Sequence, residues 1–218
     1  MFGYSPKTTS SYSRYILKIP HRVIADSLIV QTKKVEDRAY SLMGLFDINM
    51  PMIYGERENA FLRLQQYITR KSKDESIFAW PMDLLPDPSI TCCGLYAPSP
   101  SVFINCNDVI QLPGSRGFFE SNGELHLRLE IFRQKGWRIA HAVLNCANGV
   151  SPDANIFIVL VRIGGHSMSD EYVRVKDESN LSQGTMTIPR EAGNRESFRV
   201  PVDPTVQQIR MAKYIMES

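Results

Sequence analysis

The sequence has no apolar run near the roughly 18–20 residues that a membrane-spanning helix needs. The longest good one, IFIVLV at 156–161, has the length of a buried strand. Charge of one sign is also lacking. Lys and Arg total 25 against 23 for Asp and Glu, a net charge of +2. That balance gives no pull toward nucleic acid or an acidic membrane. Cysteine is scarce, with only Cys92, Cys93, Cys106 and Cys146. Two are adjacent, and no C-x-x-C or Cys-to-His spacing occurs, so no structural metal is expected. The N-terminus, MFGYSPKTTSSYSRYILKIPHR, lacks the apolar core of a secretory signal. Its Ser, Tyr and basic residues, with no acid before Asp26, resemble an organelle transit peptide only faintly. The plainer reading is a poorly ordered leader over 1–30 or a truncated upstream element, followed by a cytoplasmic protein with four reduced thiols.

The motifs of several enzyme classes are missing too. There is no G-x-x-x-x-G-K-[ST] loop, no G-x-G-x-x-G, no H-E-x-x-H and no G-x-S-x-G. No cofactor is therefore expected. GGHSMSD at 164–170 gathers a His, two Ser and an acid, but neighbours in sequence do not make a triad, and two glycines read as a loop. His126 falls on the polar face of a strand, and His141 within a strand; neither has a metal-spaced companion.

What is present is an ordinary globular composition, 43% apolar and 22% charged, in 218 residues. That is enough for one large domain or two small ones. The first part reads helical. In VEDRAYSLMG, Val35, Ala39, Leu42 and Met43 share one face. Thr32 is placed to cap its start and Gly44 to end it. A second helix is expected over Glu56–Lys71, with Ala60, Phe61, Leu64 and Ile68 on the core face and Leu62 and Tyr67 widening it. Gly55 gives the sharp entry turn.

From about residue 85 the period changes to two. ELHLRLEIF alternates Leu125, Leu127, Leu129 and Ile131 with His126, Arg128 and Glu130. Asn122-Gly123 ahead of it is a hairpin signal. WRIAHAVLNC and NIFIVLVRI read as strands, the second buried on both faces. EYVRV, GTMTI and SFRVPV read as shorter strands. Asp203-Pro204 opens a last amphipathic stretch, with Asp as cap and Pro as first helical residue. PMDLLPDPSI, with three prolines in ten residues, marks a boundary. The expected architecture is α+β: a leader over 1–30, a helical segment over 31–82, and a mostly antiparallel β-rich domain with a terminal helix over 83–218.

Tyr54-Gly55-Glu56 is the joint between the two helices. Glu56 and Tyr54 are the first residues to test for catalysis, yet a first-turn acid also satisfies the exposed N–H groups of a helix. Glu36 and Asp37 point about 100° apart on a helix and so cannot both serve one atom. Asp74 suits a turn or cap. Arg38 or Arg63 is expected to pair with Glu36, Asp37, Glu56 or Asp74.

The stretch Lys33 to Trp80 resembles the C-terminal part of the fungal heterokaryon incompatibility (HET) domain family. The likeness rests on Glu36, Asp37, Ala39, Tyr40, Leu42, Gly44, Phe46, Pro51, Tyr54, Gly55, Glu56, Ala60, Phe61, Arg63, Leu64, Gln65, Asp74, Ser76 and Trp80. CCGLYAPSPSVF resembles the segment that follows the domain in such proteins, and AHAVLNC and YVRV their β-rich region. The resemblance covers about 30–175. The family's N-terminal half has no counterpart here, nor has the tryptophan ahead of the E-D-x-A-Y helix. The family is thought similar to Toll/interleukin-receptor-like domains, some of which cleave NAD through a glutamate. The resemblance implies a non-enzymatic interaction or regulatory module with a protein partner. The alternatives are an NAD-consuming or other enzyme, and a truncated remnant without independent function.

Overall fold

The computed structural model describes residues 34–114, 117–133, 139–149, 155–166, 169–176 and 194–217. The leader, the Thr32 cap and the GTMTI strand lie outside them. The protein is α+β, with helices ahead of strands.

Helix α1 spans Val35–Phe46 and α2 spans Asn59–Lys71. α1 buries Ala39 and Leu42 as expected, but its third buried residue is Glu36, while Val35 is exposed. Gly44 does not end it. The helix runs two residues further, and Asp47 takes the left-handed conformation (φ 51°). Ile48 N–H then reaches Met43 O at 2.9 Å, the closing bond of a Schellman-type stop. Asp tolerates this backbone better than most residues, and an exposed Gly44 with nothing near its Cα has no reason to break the helix. α2 starts three residues later than expected, because Gly55 (φ 100°) and Arg57 (φ 52°) hold the chain in turns.

Phe61, Leu64 and Ile68 are all buried, in one cluster with Ala39 and Leu42 of α1. Leu64→Ala is expected to cost about 2–5 kcal/mol, as a cavity in a core that cannot fully collapse. A denaturant titration that moves by less than about 0.5 kcal/mol would reassign the face.

The strands are β1 Cys92–Cys93, β2 Val109–Gln111, β3 Phe118–Ser121, β4 Glu124–Arg133, β5 Ile139–Asn148, β6 Asn155–His166, β7 Ser169–Val175 and β8 Asn194–Pro201. β5, β6, β7, β8 and β4 are neighbours in that order, and β4 also pairs with β5. The five close into a small barrel, which removes the sheet edges. All these pairings are antiparallel except β7 with β8. In β4, Leu125, Leu127, Leu129 and Ile131 point inward. Asn122 (φ 52°) and Gly123 (φ 74°) make the tight turn from β3, the two positive φ values a type I′ turn needs. Phe157 to Val161 of β6 are buried in succession. The described residues of GGHSMSD are strand rather than loop: Gly164, Gly165 and His166 belong to β6 and pair with Glu171, Asp170 and Ser169 of β7.

Helix α3, Val206–Glu217, also starts later than Asp203-Pro204 suggested. Thr205 and Gln208 form a reciprocal box: Gln208 N–H donates to Thr205 Oγ1 (3.3 Å), and Thr205 N–H to Gln208 Oε1 (2.7 Å). Ala212 of α3 seals a second cluster with Cys92, Val161 and Val173. The larger cluster runs from α1 and α2 through Trp80 and Leu95 to the barrel strands, across the proline-rich 81–90 stretch.

Candidate functional site

The segment after α1 folds back along it and places Tyr54-Gly55-Glu56 against its first turns. Glu36 is 6% exposed and accepts from the N–H groups of Gly55 (2.8 Å) and Arg57 (3.1 Å). Its own backbone N–H and these two donors hold its carboxyl below the usual range. Asp37, about 100° round the helix, accepts from the Tyr54 hydroxyl at 3.1 Å, which pushes the phenol up. The two acids thus serve different groups of one turn.

Glu56 is not a first-turn acid, because the helix has not begun. It accepts from Arg63 Nε (3.1 Å) and Nη2, and from the Tyr40 hydroxyl (2.8 Å). That hydroxyl also accepts from Ile53 N–H at 2.7 Å. Burial, then the bond to Glu56, raises the Tyr40 phenol. The ring of Tyr40 meets Tyr54 edge-on at 5.6 Å, and Lys34 Nζ stands 4.3 Å from the centre of the Tyr54 ring. Arg63, on α2, is thereby linked through Glu56 to Tyr40 on α1. Arg38 has no part in this network. Both Glu56 oxygens accept from protein donors, Oε1 from Tyr40 and Arg63 and Oε2 from Arg63.

Glu36 gives a pH signature with a definite sign. A depressed carboxyl stabilises the fold above its unfolded value near 4.5, and that contribution drains as pH falls through the lower folded value. Glu36→Gln is expected to lower the melting temperature at pH 7 and to flatten its decline on acidification. Melts between pH 3 and 7 check this.

The other family-like residues hold the joint's surroundings. Pro51 precedes it on the exposed return segment. Asp74 caps the 3-10 turn Glu75–Phe78 by accepting from Ser76 N–H at 2.9 Å. Trp80 is fully buried and donates Nε1–H to Leu95 O at 2.9 Å.

Two further residues tie the helical part to the segments that follow it. Gln65 grips Ala97 twice, Nε2–H to its O (2.8 Å) and Oε1 from its N–H (2.9 Å). Arg174 of β7, 5% exposed, donates to Phe78 O (3.1 Å) and Trp80 O and lies 4.0 Å from the centre of a Trp80 ring. Burial lowers its guanidinium to about 10. Gln65 was among the residues that carry the resemblance, with no role assigned to it. Arg174 carried no signal, since a lone Arg in an alternating strand reads as solvent-facing.

Among the described residues, no three His, Cys, Asp or Glu side chains could share a metal ion, and no helix is long and apolar enough to cross a membrane. Cys92, Cys93, Cys106 and Cys146 form no disulfide with one another. A groove of about 550 Å³ lies where Leu62 of α2, Cys93 and Ile209 of α3 converge; neither Tyr54 nor Glu56 lines it. The joint's outer surface is apolar instead: Met52, Ile53 and Tyr54 are 63%, 51% and 55% exposed.

The fold and the joint define a mixed α+β protein whose motif residues interlock. In comparisons with known proteins, a stretch of 49 residues is 47% identical to the vegetative incompatibility protein HET-E-1 of Podospora anserina. The stretch is 22% of this chain and 3% of that protein, so the chain spans only a small part of its relative. No family model matches, and no solved structure matches.

Proposed function

We propose that the chain is a non-enzymatic interaction or regulatory module of a fungal incompatibility-type protein, acting on a protein partner. The observation that carries this is the joint itself. Its acids and hydroxyls are spent on one another and on the turn, while Met52, Ile53 and Tyr54, consecutive in the chain, are each exposed. Exposed apolar surface of this kind can serve as an interaction surface where it forms a contiguous patch. The similarity to HET-E-1 supports the setting, and cysteines outside disulfides fit a cytoplasmic location.

The test is Met52→Glu with Ile53→Glu in the full chain. Both side chains are exposed, so the melting transition should move little. Chemical crosslinking in fungal extract should then lose a partner that the original chain captures. The same crosslinked species from both chains would sink the reading of the ridge.

A further inference from the structure

The barrel strands carry apolar residues on both faces, and the two faces belong to different clusters. Leu160 of β6 and Tyr172 of β7 join the larger cluster. Their chain neighbours Val161 and Val173 point the other way and join the second cluster, opposite each other in the β6–β7 register. Cys92 and Val175, register partners on β1 and β7, extend this outer strip. All four are buried, and Ala212 of α3 packs on them. Among the described residues, the larger cluster takes no member from α3. The barrel interior is therefore filled without it.

The hold on α3 is light. Of its 12 residues only Ala212 is buried. Ile209, Ile215 and Met216 are partly buried, and Val206, Met211 and Tyr214 are exposed. A helix this short is marginal by itself, so packing on the strip keeps it formed. A polar tie runs from Gln208 Nε2–H to Glu171 Oε1 at 2.6 Å. The groove of about 550 Å³ undercuts one side of the helix, where Ile209 and Lys213 line it together with Cys92 and Cys93. Ahead of the helix, Val202 N–H is fixed to Gly123 O at 2.8 Å, and Asp203-Pro204-Thr205 forms a short connector between strand and helix. Elements with so few buried contacts open well below the free energy of global unfolding.

From this separate cluster, this undercut and this connector, we propose that α3 is a releasable lid. It lifts off about residues 203–205 while the barrel and the helical part stay folded. Its release joins the groove to the strip of Cys92, Val161, Val173 and Val175, making one apolar cleft. The proposal does not rest on the reading of Met52, Ile53 and Tyr54, none of which lines the groove.

Iodoacetamide labelling of the full chain, read cysteine by cysteine by peptide mass spectrometry, tests it. Cys92 lies under the lid, whereas Cys106 and Cys146 are buried in the larger cluster and report global unfolding. Release predicts that Cys92 is labelled roughly tenfold or more faster than Cys106 and Cys146. Arg210→Gly weakens α3 at an exposed position inside the helix. It should raise the Cys92 rate about four- to fivefold and leave the other two rates unchanged. Labelling of Cys92 no faster than that of Cys106 and Cys146 would overturn the proposal. So would a fast Cys92 rate that Arg210→Gly does not change, because the reagent would then enter through the groove with α3 in place. An equal rise at all three cysteines in Arg210→Gly would overturn it as well, by showing that α3 opens only with the whole fold.

Discussion

Trp80→Ala is expected to destabilise the chain by about 3–5 kcal/mol, the upper range for truncating a buried aromatic. Trp80 is fully buried at the junction of the 3-10 turns, the Leu95 segment and β7. Its removal opens a cavity and leaves Leu95 O without its indole donor. It also strips the aromatic face from Arg174, a contact that gains strength where water is excluded. Trp80→Phe should recover part of this, because it refills the space without the N–H. Chemical denaturation followed by far-UV circular dichroism gives the size. A loss below about 1 kcal/mol would mean that the core does not depend on this contact.

Arg174→Met is the second large effect, expected at about 2–4 kcal/mol. Two opposing terms decide it. A cation buried without a carboxylate among its hydrogen-bond partners carries a desolvation cost, visible in the lowered guanidinium value of about 10, and methionine removes that cost. Against this, Phe78 O and Trp80 O lose donors in a place water does not reach. Two unmet buried acceptors, at about 1–3 kcal/mol each, outweigh the relief. Arg174→Lys should recover less than half, since a point charge cannot fork to two carbonyls. An Arg174→Met protein as stable as the original would show the desolvation term to be the larger one.

The parts of the fold legible in the sequence were those with local period. Leu125, Leu127, Leu129 and Ile131 announced a half-buried strand, and Phe61, Leu64 and Ile68 a core-facing helix side, because burial on one face imposes that spacing. Asn122-Gly123 announced its turn through backbone chemistry alone. Element ends were less legible. Gly44 and Glu56 looked like stop and start, yet Asp47 and Asn59 fill those places, because capping bonds from Ile48 and turns at Gly55 and Arg57 compete with local propensity. Barrel closure was not legible. It depends on the β4–β5 and β7–β8 pairings between strands whose own patterns do not name their neighbours. The joint was legible as a place, and the Arg63–Glu56 pair fell within the pairings expected, but the rest of its wiring was not legible. Glu36 and Glu56 exchange the roles that their positions suggested, since Glu36 supplies the turn's acceptor and Glu56 anchors a tyrosine and an arginine.

The central claim is that Tyr54-Gly55-Glu56 is architecture, with its carboxylate committed to Tyr40 and Arg63. Incubating the purified full chain with NAD and following nicotinamide release tests it most directly, with Glu56→Gln alongside. The expected result is no release above the protein-free rate in either sample, together with a lower melting temperature in Glu56→Gln. Turnover by the original chain that disappears in Glu56→Gln would contradict the claim and make the joint an active site.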